Sequence, residues 1–95
     1  MPFKERTLSV VRRIPKGQVM TYKEVAARAG NSRAARAVGA VMRANYDPSI
    51  PCHRVVHSDF RVGNYNRFGG SRFKMKRLKS EGVRLESGKV VRQKL

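Results

Sequence analysis

Apolar residues recur at helical spacing at the start of the chain. Leu8, Val11 and Ile14 form one stripe among basic residues, and this pattern predicts a first helix over residues 3–14. The tripeptide Pro15-Lys16-Gly17 contains two helix breakers, so we expect a turn to follow. The first element is therefore expected to bury one side and to leave its basic side in solvent.

A second and a third helix are predicted next, separated by a tight turn. The run Thr21-Tyr22-Lys23-Glu24 has the pattern of a capping box and would open the second helix, which Gly30 is placed to end. Ser32 is placed to cap a third helix that runs from Arg33 to about Asn45. Two short helices joined by a Gly-Asn turn are typical of a helix-turn-helix motif, although many helical hairpins share this pattern.

The predicted third helix has two different faces. The residues suited to the core are Ala34, Val38, Val41 and Met42. The residues at positions i, i+3, i+7 and i+10 of the other face are Arg33, Arg36, Ala40 and Arg43. Small residues such as Ala37 and Gly39 keep the surface between the arginines low, so this face can lie close to a nucleic-acid backbone. The alternative is an ordinary solvated basic face, and the small residues favour contact.

The second half of the chain is predicted to contain loops and short strands. We expect a loop from Asn45 to Pro51, a strand over residues 53–57 and a turn at Ser58-Asp59. Residues 60–65 fit either a returning strand or an irregular loop, and residues 66–70 fit a further loop.

The last quarter of the chain predicts a helix and a hairpin. Residues 71–81 fit a fourth helix, with Ser71 as its cap and Gly82 as its stop. The candidates for its inward side are Phe73, Met75 and Leu78. Residues 83–85 and 89–91 would pair around Glu86-Ser87-Gly88. The predicted fold is one domain over residues 1–95, mainly α with short β elements, in a winged helix-turn-helix-like arrangement.

The charge of the chain is strongly positive. Lys and Arg total 22 against six acidic residues, which gives a formal net charge of +16 and a pI near 11.5. A basic balance of this size indicates a nucleic-acid partner. An anionic membrane surface would instead call for a basic amphipathic helix with a bulky apolar face, and the chain has no Trp. No apolar run approaches the ~20 residues of a membrane span, and no signal core is present, so we expect a cytoplasmic monomer, nucleoid-associated in a prokaryote.

The only cysteine, Cys52, lies in the run from Ile50 to Val56. One cysteine excludes an internal disulfide, and one Cys with two His cannot supply the usual four zinc ligands. A free cysteine is often a small buried hydrophobe, yet His53 and Arg54 are groups that can favour the nucleophilic thiolate. On composition, the reactive and the structural role are equally supported. A direct bond between Cys52 and His53 needs a turn or a bridging water, because neighbours in a strand point to opposite faces.

Glu81 is the lone acid between Arg61 and Arg84. A distant carboxylate of this kind could orient an imidazole and favour its charged form. From sequence alone, however, a surface ion pair is the favoured interpretation. Its candidate partners are Arg77, Lys79 and Arg84.

The run Pro51-Cys52-His53-Arg54-Val55-Val56 resembles the active-site motif of the O6-alkylguanine-DNA alkyltransferases. Residues 14–22 resemble the entry to that family's helix-turn-helix, and Ala34 to Gly39 with Met42, Arg43 and Asn45 resemble its recognition helix. Residues 62–65 and Glu81-Gly82 follow in family order. The resemblance extends from about residue 3 to residue 86. Most members carry an additional N-terminal domain, for which this chain is expected to have no room.

The resemblance implies stoichiometric repair of double-stranded DNA that contains O6-alkylguanine, without a cofactor or a metal. The lesion nucleotide would be flipped out of the duplex, and Cys52 would keep the alkyl group permanently. His53 would take the thiol proton through a water, and Glu81 would orient His53. Tyr22 would rotate a phosphate and meet the minor-groove edge of the guanine. Asn45 would be the hinge between the recognition helix and the active-site loop.

The same resemblance implies a DNA-binding face and a substrate pocket. Arg36 would fill the gap that the flipped base leaves, and the helix would lie in the minor groove. The other expected DNA contacts are Tyr22, Arg33, Ala34, Ala35, Ala37, Gly39, Ala40 and Arg43. The expected pocket residues are Met42, Val55, Tyr65, Asn66 and Lys74. In this pocket the carbonyls of Cys52 and Val55 would accept from the guanine amine, and an amide near Asn66 would donate to O6.

Three other functions compete with alkyl transfer. A non-catalytic lesion sensor, like the alkyltransferase-like proteins, would fit the size of the chain, although those proteins typically have tryptophan where this chain has Cys52. A basic winged-helix regulator would leave Cys52, His53 and Glu81 without a use. A thiol hydrolase does not suit a net charge of +16.

Overall fold

The computed structural model describes residues 1–63 and 70–92 of the chain, and it is built mainly from helices. The helices are α1 (Phe3–Arg12), α2 (Tyr22–Arg28), α3 (Ala35–Ala44) and α4 (Gly70–Ser80). The strands are β1 (Met20–Thr21), β2 (Val55–Val56), β3 (Leu85–Glu86) and β4 (Lys89–Val90), and a 3₁₀ turn covers Cys52–Arg54. The predicted fold class, mainly α with short β elements, is confirmed. None of the helices in this described part is long and apolar enough to cross a membrane.

The first three helices pack around one apolar cluster. Its buried members are Val11, Ile14, Val25, Ala26, Val38, Met42, Ile50, Cys52 and Val55. The first helix is shorter than predicted, since α1 ends at Arg12 while Ile14 remains in the core. The N–H of Ile14 still donates to the Val11 carbonyl at 3.1 Å, so the chain leaves the helix through a tight turn that keeps the apolar stripe intact.

Both predicted ends of α2 are confirmed. The Thr21 hydroxyl accepts from the Glu24 N–H at 3.1 Å, and the Thr21 N–H donates to the Glu24 carboxylate at 2.9 Å, which is the reciprocal capping box. At the other end Gly30 has φ +98°, and the N–H groups of Gly30 and Asn31 bond back to Ala27 and Ala26. This left-handed cap needs a residue without a Cβ.

The predicted start of α3 is wrong by two residues. The helix begins at Ala35, its cap position is Ala34, and Ser32 provides no cap. Instead the Asn31 side chain accepts from the Arg33 N–H at 3.1 Å and holds residues 31–33 in a turn. The turn of the motif is therefore longer than predicted, and Arg33 lies outside the helix.

A parallel pairing joins β1 to β2, with Met20 opposite Val55 and Thr21 opposite Val56. The sequence predicted a strand over residues 53–57, but only Val55 and Val56 are extended in it. Residues 52–54 form a 3₁₀ turn instead, because the Pro51 carbonyl accepts from the Arg54 N–H at 3.0 Å. The turn places Cys52 and His53 outside the strand geometry that separates neighbouring side chains.

A second apolar cluster lies under α4 and the hairpin. Its buried members are Val19, Val56, Val62, Leu78, Val83 and Val90. The helix begins at Gly70, so Ser71 lies within its first turn and not at the cap. Gly82 ends it as predicted, with φ +90° and a bond from its N–H to Lys79. A hairpin is present as predicted, but its bounds differ. Glu86, expected in the turn, pairs with Lys89, so the turn consists of Ser87 and Gly88, which both have positive φ.

The buried side of α4 differs from the prediction at one position. Phe73 was expected inside, but it is 38% exposed, and Lys74 is buried at 1% exposed. Lys74 and Leu78 are four residues apart and share the inward face. Burial of the amine is tolerated because its Nζ donates to the Val55 carbonyl at 2.7 Å.

Candidate functional site

The thiol of Cys52 lies at the start of the 3₁₀ turn, beside the end of α3. Cys52 is buried, at 5% exposed. Asn45, the residue that ends α3, donates from Nδ2 to the Cys52 Sγ at 2.9 Å. An N–H that donates to sulfur favours the thiolate over the thiol. One side chain thus connects the end of α3 to the thiol, and the role of Asn45 as a hinge stays a prediction.

Glu81 joins three separated parts of the chain. Its Oε2 lies 3.0 Å from His53 Nε2, and Arg54 donates to both carboxylate oxygens at 3.0 and 2.7 Å. Arg54 also donates to the Ile14 carbonyl at 2.8 Å, so the end of α1, the 3₁₀ turn and the end of α4 meet there. The prediction of a surface ion pair is wrong, because the Glu81 side chain is only 8% exposed and pairs with His53 and Arg54.

The protonation of this pair follows from its surroundings. The hydrogen bonds from Arg54 hold the pKa of Glu81 down to about 2, so this carboxylate is ionised near neutral pH. Burial lowers the pKa of His53, while the hydrogen bond to Glu81 opposes that shift. Neutral His53 therefore donates its Nε2 proton to Glu81 and keeps a lone pair on Nδ1.

The Nδ1 atom of His53 is buried and accepts no hydrogen bond from the described residues. Buried polar atoms of this kind are commonly satisfied by an ordered water. His53 itself is 1% exposed, so the lone pair is available only to a small molecule or group that enters the site. The arrangement supplies a base next to Cys52 in the chain without a direct bond to its thiol.

Two further predicted residues are electrostatically coupled to Cys52. Burial raises the pKa of Tyr22, the charge of Cys52 raises it further, and Arg43 opposes both. Burial lowers the pKa of Lys74 to about 8, and the charge of Cys52 opposes that shift. The charge of Cys52 therefore affects the pKa of both Tyr22 and Lys74. The Val55 carbonyl, expected to accept from guanine, accepts from Lys74.

The outer face of α3 and of the turn before it is open. The exposed residues are Arg33, Arg36, Ala37, Ala40 and Arg43, and Ala34, Ala35 and Gly39 are half-buried. Met42 is on the opposite side and is buried in the same apolar cluster as Cys52. The predicted pocket residues Tyr65 and Asn66 lie outside the described residues.

Sequence reasoning missed the role of Arg54. The sequence showed a positive charge two residues after Cys52, but it did not indicate the partner of that charge, because Glu81 is 27 residues away. Within residues 1–63 and 70–92, no group of three or more His, Cys, Asp or Glu side chains could hold a metal ion.

The chain resembles proteins that act on alkylated DNA. Residues 2–83 match the family described as 6-O-methylguanine DNA methyltransferase, DNA binding domain. The methylated-DNA–protein-cysteine methyltransferase of Methanothermobacter thermautotrophicus is 48% identical over 84 residues, which are 88% of this chain and 46% of that protein. The Homo sapiens protein of the same name is 54% identical over 70 residues, 73% of this chain and 33% of that protein. The chain thus spans less than half the length of these curated relatives.

Solved structures show the same likeness. The Mycobacterium tuberculosis OGT in complex with DNA has a TM-score of 0.78 at 32% identity, over 86% of this chain and 49% of that one. The S. pombe Atl1 in complex with damaged DNA containing O6-carboxymethylguanine has a TM-score of 0.77 at 32% identity, over 86% of this chain and 77% of that one.

Proposed function

Since the chain belongs to the 6-O-methylguanine DNA methyltransferase family, we propose that it repairs DNA by moving the alkyl group of O6-alkylguanine irreversibly to Cys52. The observation that carries this proposal is the set of contacts around the sulfur. Asn45 donates to Sγ. His53, the residue after Cys52, is held by the ionised Glu81, and its Nδ1 keeps a lone pair. A regulator with a merely packed cysteine has no use for this set, and a thiol hydrolase does not suit the net charge of +16.

In the proposed reaction the Cys52 thiolate attacks the alkyl carbon on O6. An S–C bond forms, the C–O6 bond breaks, and guanine leaves with the electron pair and then takes a proton. The thiol proton passes through a bridging water to Nδ1 of His53, and the negative Glu81 stabilises the imidazolium that results. The alkyl group stays on sulfur as a thioether, so each molecule reacts once.

Access to the lesion requires that the base leaves the duplex, because Cys52 lies in the protein interior. The exposed face of α3 carries small residues that would suit the narrow minor groove, and exposed Arg36 would occupy the gap in the stack. Tyr22 would meet the phosphate and the guanine edge, and Met42, Val55, Tyr65, Asn66 and Lys74 would form the pocket. Minor-groove edges carry little sequence information, which suits a protein that searches all DNA for damage.

A non-catalytic lesion sensor is the second candidate. The likeness to S. pombe Atl1 over 86% of this chain favours it. The presence of Cys52 with its donor Asn45 and the His53–Glu81 pair favours transfer instead.

One experiment separates the candidates. The full chain is incubated with a duplex that contains O6-methylguanine, and its peptides are mapped by mass. A methyl group on Cys52 supports transfer, whereas tight lesion binding without an adduct supports the sensor. Equal binding of damaged and undamaged duplex contradicts both. The matched variant Cys52→Ser should retain lesion binding and accept no methyl group.

A further inference from the structure

His57, a residue outside the transfer machinery proposed above, lies beside Tyr22. β1 and β2 run parallel with Thr21 opposite Val56. The residues that directly follow the two strands, Tyr22 and His57, therefore lie side by side. The two ring centroids are 5.5 Å apart and the rings are tilted by 52°. This spacing is typical of a favourable contact between aromatic rings. The strand register therefore builds the contact between Tyr22 and His57.

The imidazole of His57 is also held from a second direction. A Cβ added at Gly63 would lie 2.4 Å from His57 Nε2, closer than atoms can approach, so the Gly63 backbone packs directly on the ring. The backbone of His57 is fixed as well, because its N–H donates to Arg61 at 3.0 Å and its carbonyl accepts from Phe60 at 2.8 Å. The ring of His57 is exposed, but its backbone is fixed and one edge lies against Gly63, so its orientation is restricted and it can restrain its neighbour.

The neighbour that it restrains is Tyr22, which the transfer reaction needs in one orientation. The capping box fixes the backbone of Tyr22, since it is the first residue of α2. Its half-buried ring packs against the first apolar cluster and also contacts His57. Contact with a second ring limits the rotation of the phenol.

We infer that His57 is a positioning residue that holds the ring of Tyr22 in the orientation required for alkyl transfer, an inference that rests on the proposed function. A small displacement of a group that orients a substrate can cost about tenfold to a hundredfold in rate. His57 acts through Tyr22 alone, so its contribution disappears when the phenol is absent.

The test is a double-mutant cycle on single-turnover transfer from an O6-methylguanine duplex. We expect His57→Ala to slow transfer by about tenfold or more, and His57→Gln, which keeps a flat amide near the position of Nε2, to restore most of the rate. In a Tyr22→Ala background, His57→Ala should change the rate by less than about twofold. Thermal unfolding confirms that each variant is folded.

Two results overturn the inference. One is a His57→Ala variant that transfers the methyl group at the wild-type rate. The other is that His57→Ala slows transfer equally in the wild-type and the Tyr22→Ala background. If the wild type leaves Cys52 unmodified, the proposed function fails instead. The wild type, His57→Ala, Tyr22→Ala and the double variant are then compared by their selectivity for damaged over undamaged duplex. A loss of selectivity in the double variant that differs from the sum of the two single losses supports the inference, and an additive loss overturns it.

Discussion

At the level of single residues, the carboxylate of Glu81 determines which ring nitrogen of His53 carries the proton. Arg54 keeps this carboxylate ionised, and the ionised carboxylate fixes the Nε2 proton of His53. The lone pair on Nδ1 is a consequence of that arrangement. The base of the proposed reaction thus depends on an arginine that touches neither the thiol nor the imidazole in these contacts.

Glu81→Gln should remove an acid-sensitive part of the stability. Because the pKa of Glu81 is lowered from 4.5 to about 2 in the folded chain, its contribution is complete above about pH 4.5 and is lost as pH falls to about 2. The advantage of the wild type over the variant, on the order of 3 kcal/mol, should therefore shrink in that window. Urea unfolding at pH 7, 5 and 3 measures it. The control is Glu86→Gln at an exposed position, and an advantage that is constant with pH would contradict the assignment.

Arg36→Ala should separate base flipping from general DNA affinity. The side chain is exposed on α3, so its loss should not affect the fold. If Arg36 fills the gap in the stack, the variant loses more affinity for a duplex with O6-methylguanine than for an undamaged duplex. Fluorescence anisotropy with both duplexes checks this, and an equal loss on the two would count against the role.

At the level of elements, the sequence predicted correctly those helix ends that depend on contacts between residues close together in the chain. The capping box at Thr21 and the glycine caps at Gly30 and Gly82 depend on residues within a few positions, and all three are confirmed. The pairing of β1 with β2 joins residues 35 apart and involves only two residues in each strand, too few for a periodic signal. The buried Lys74 and the bonds of Arg54 also depend on distant partners, so sequence patterns could not reveal them.

Arg54→Lys should loosen the junction of three elements. The guanidinium donates to both oxygens of Glu81 and to the Ile14 carbonyl, and a lysine amine cannot match that planar geometry. The lysine keeps the charge but cannot keep all three hydrogen bonds, so we expect a loss of about 1.5–3 kcal/mol in the free energy of unfolding, the contribution of a hydrogen bond to a charged group. The same change at exposed Arg84 is the control. Equal stability of the two variants would show that the junction does not depend on the guanidinium.

At the level of the whole molecule, the net charge of +16 would set how DNA is held in the proposed function. The proposed site chemistry depends on Cys52, His53 and Glu81, while the attraction to phosphate would come mainly from the exposed arginines of α3 and of the turn before it. Affinity for undamaged duplex should therefore fall linearly with salt on logarithmic axes, with a slope close to the number of phosphate contacts. Arg33→Gln, in the turn before α3, should reduce that slope by about one and lower affinity for damaged and undamaged duplex alike. Arg84→Gln lies outside the motif and should leave the slope unchanged. If both variants shift the slope equally, the charge acts as a diffuse field and α3 does not define the contact face.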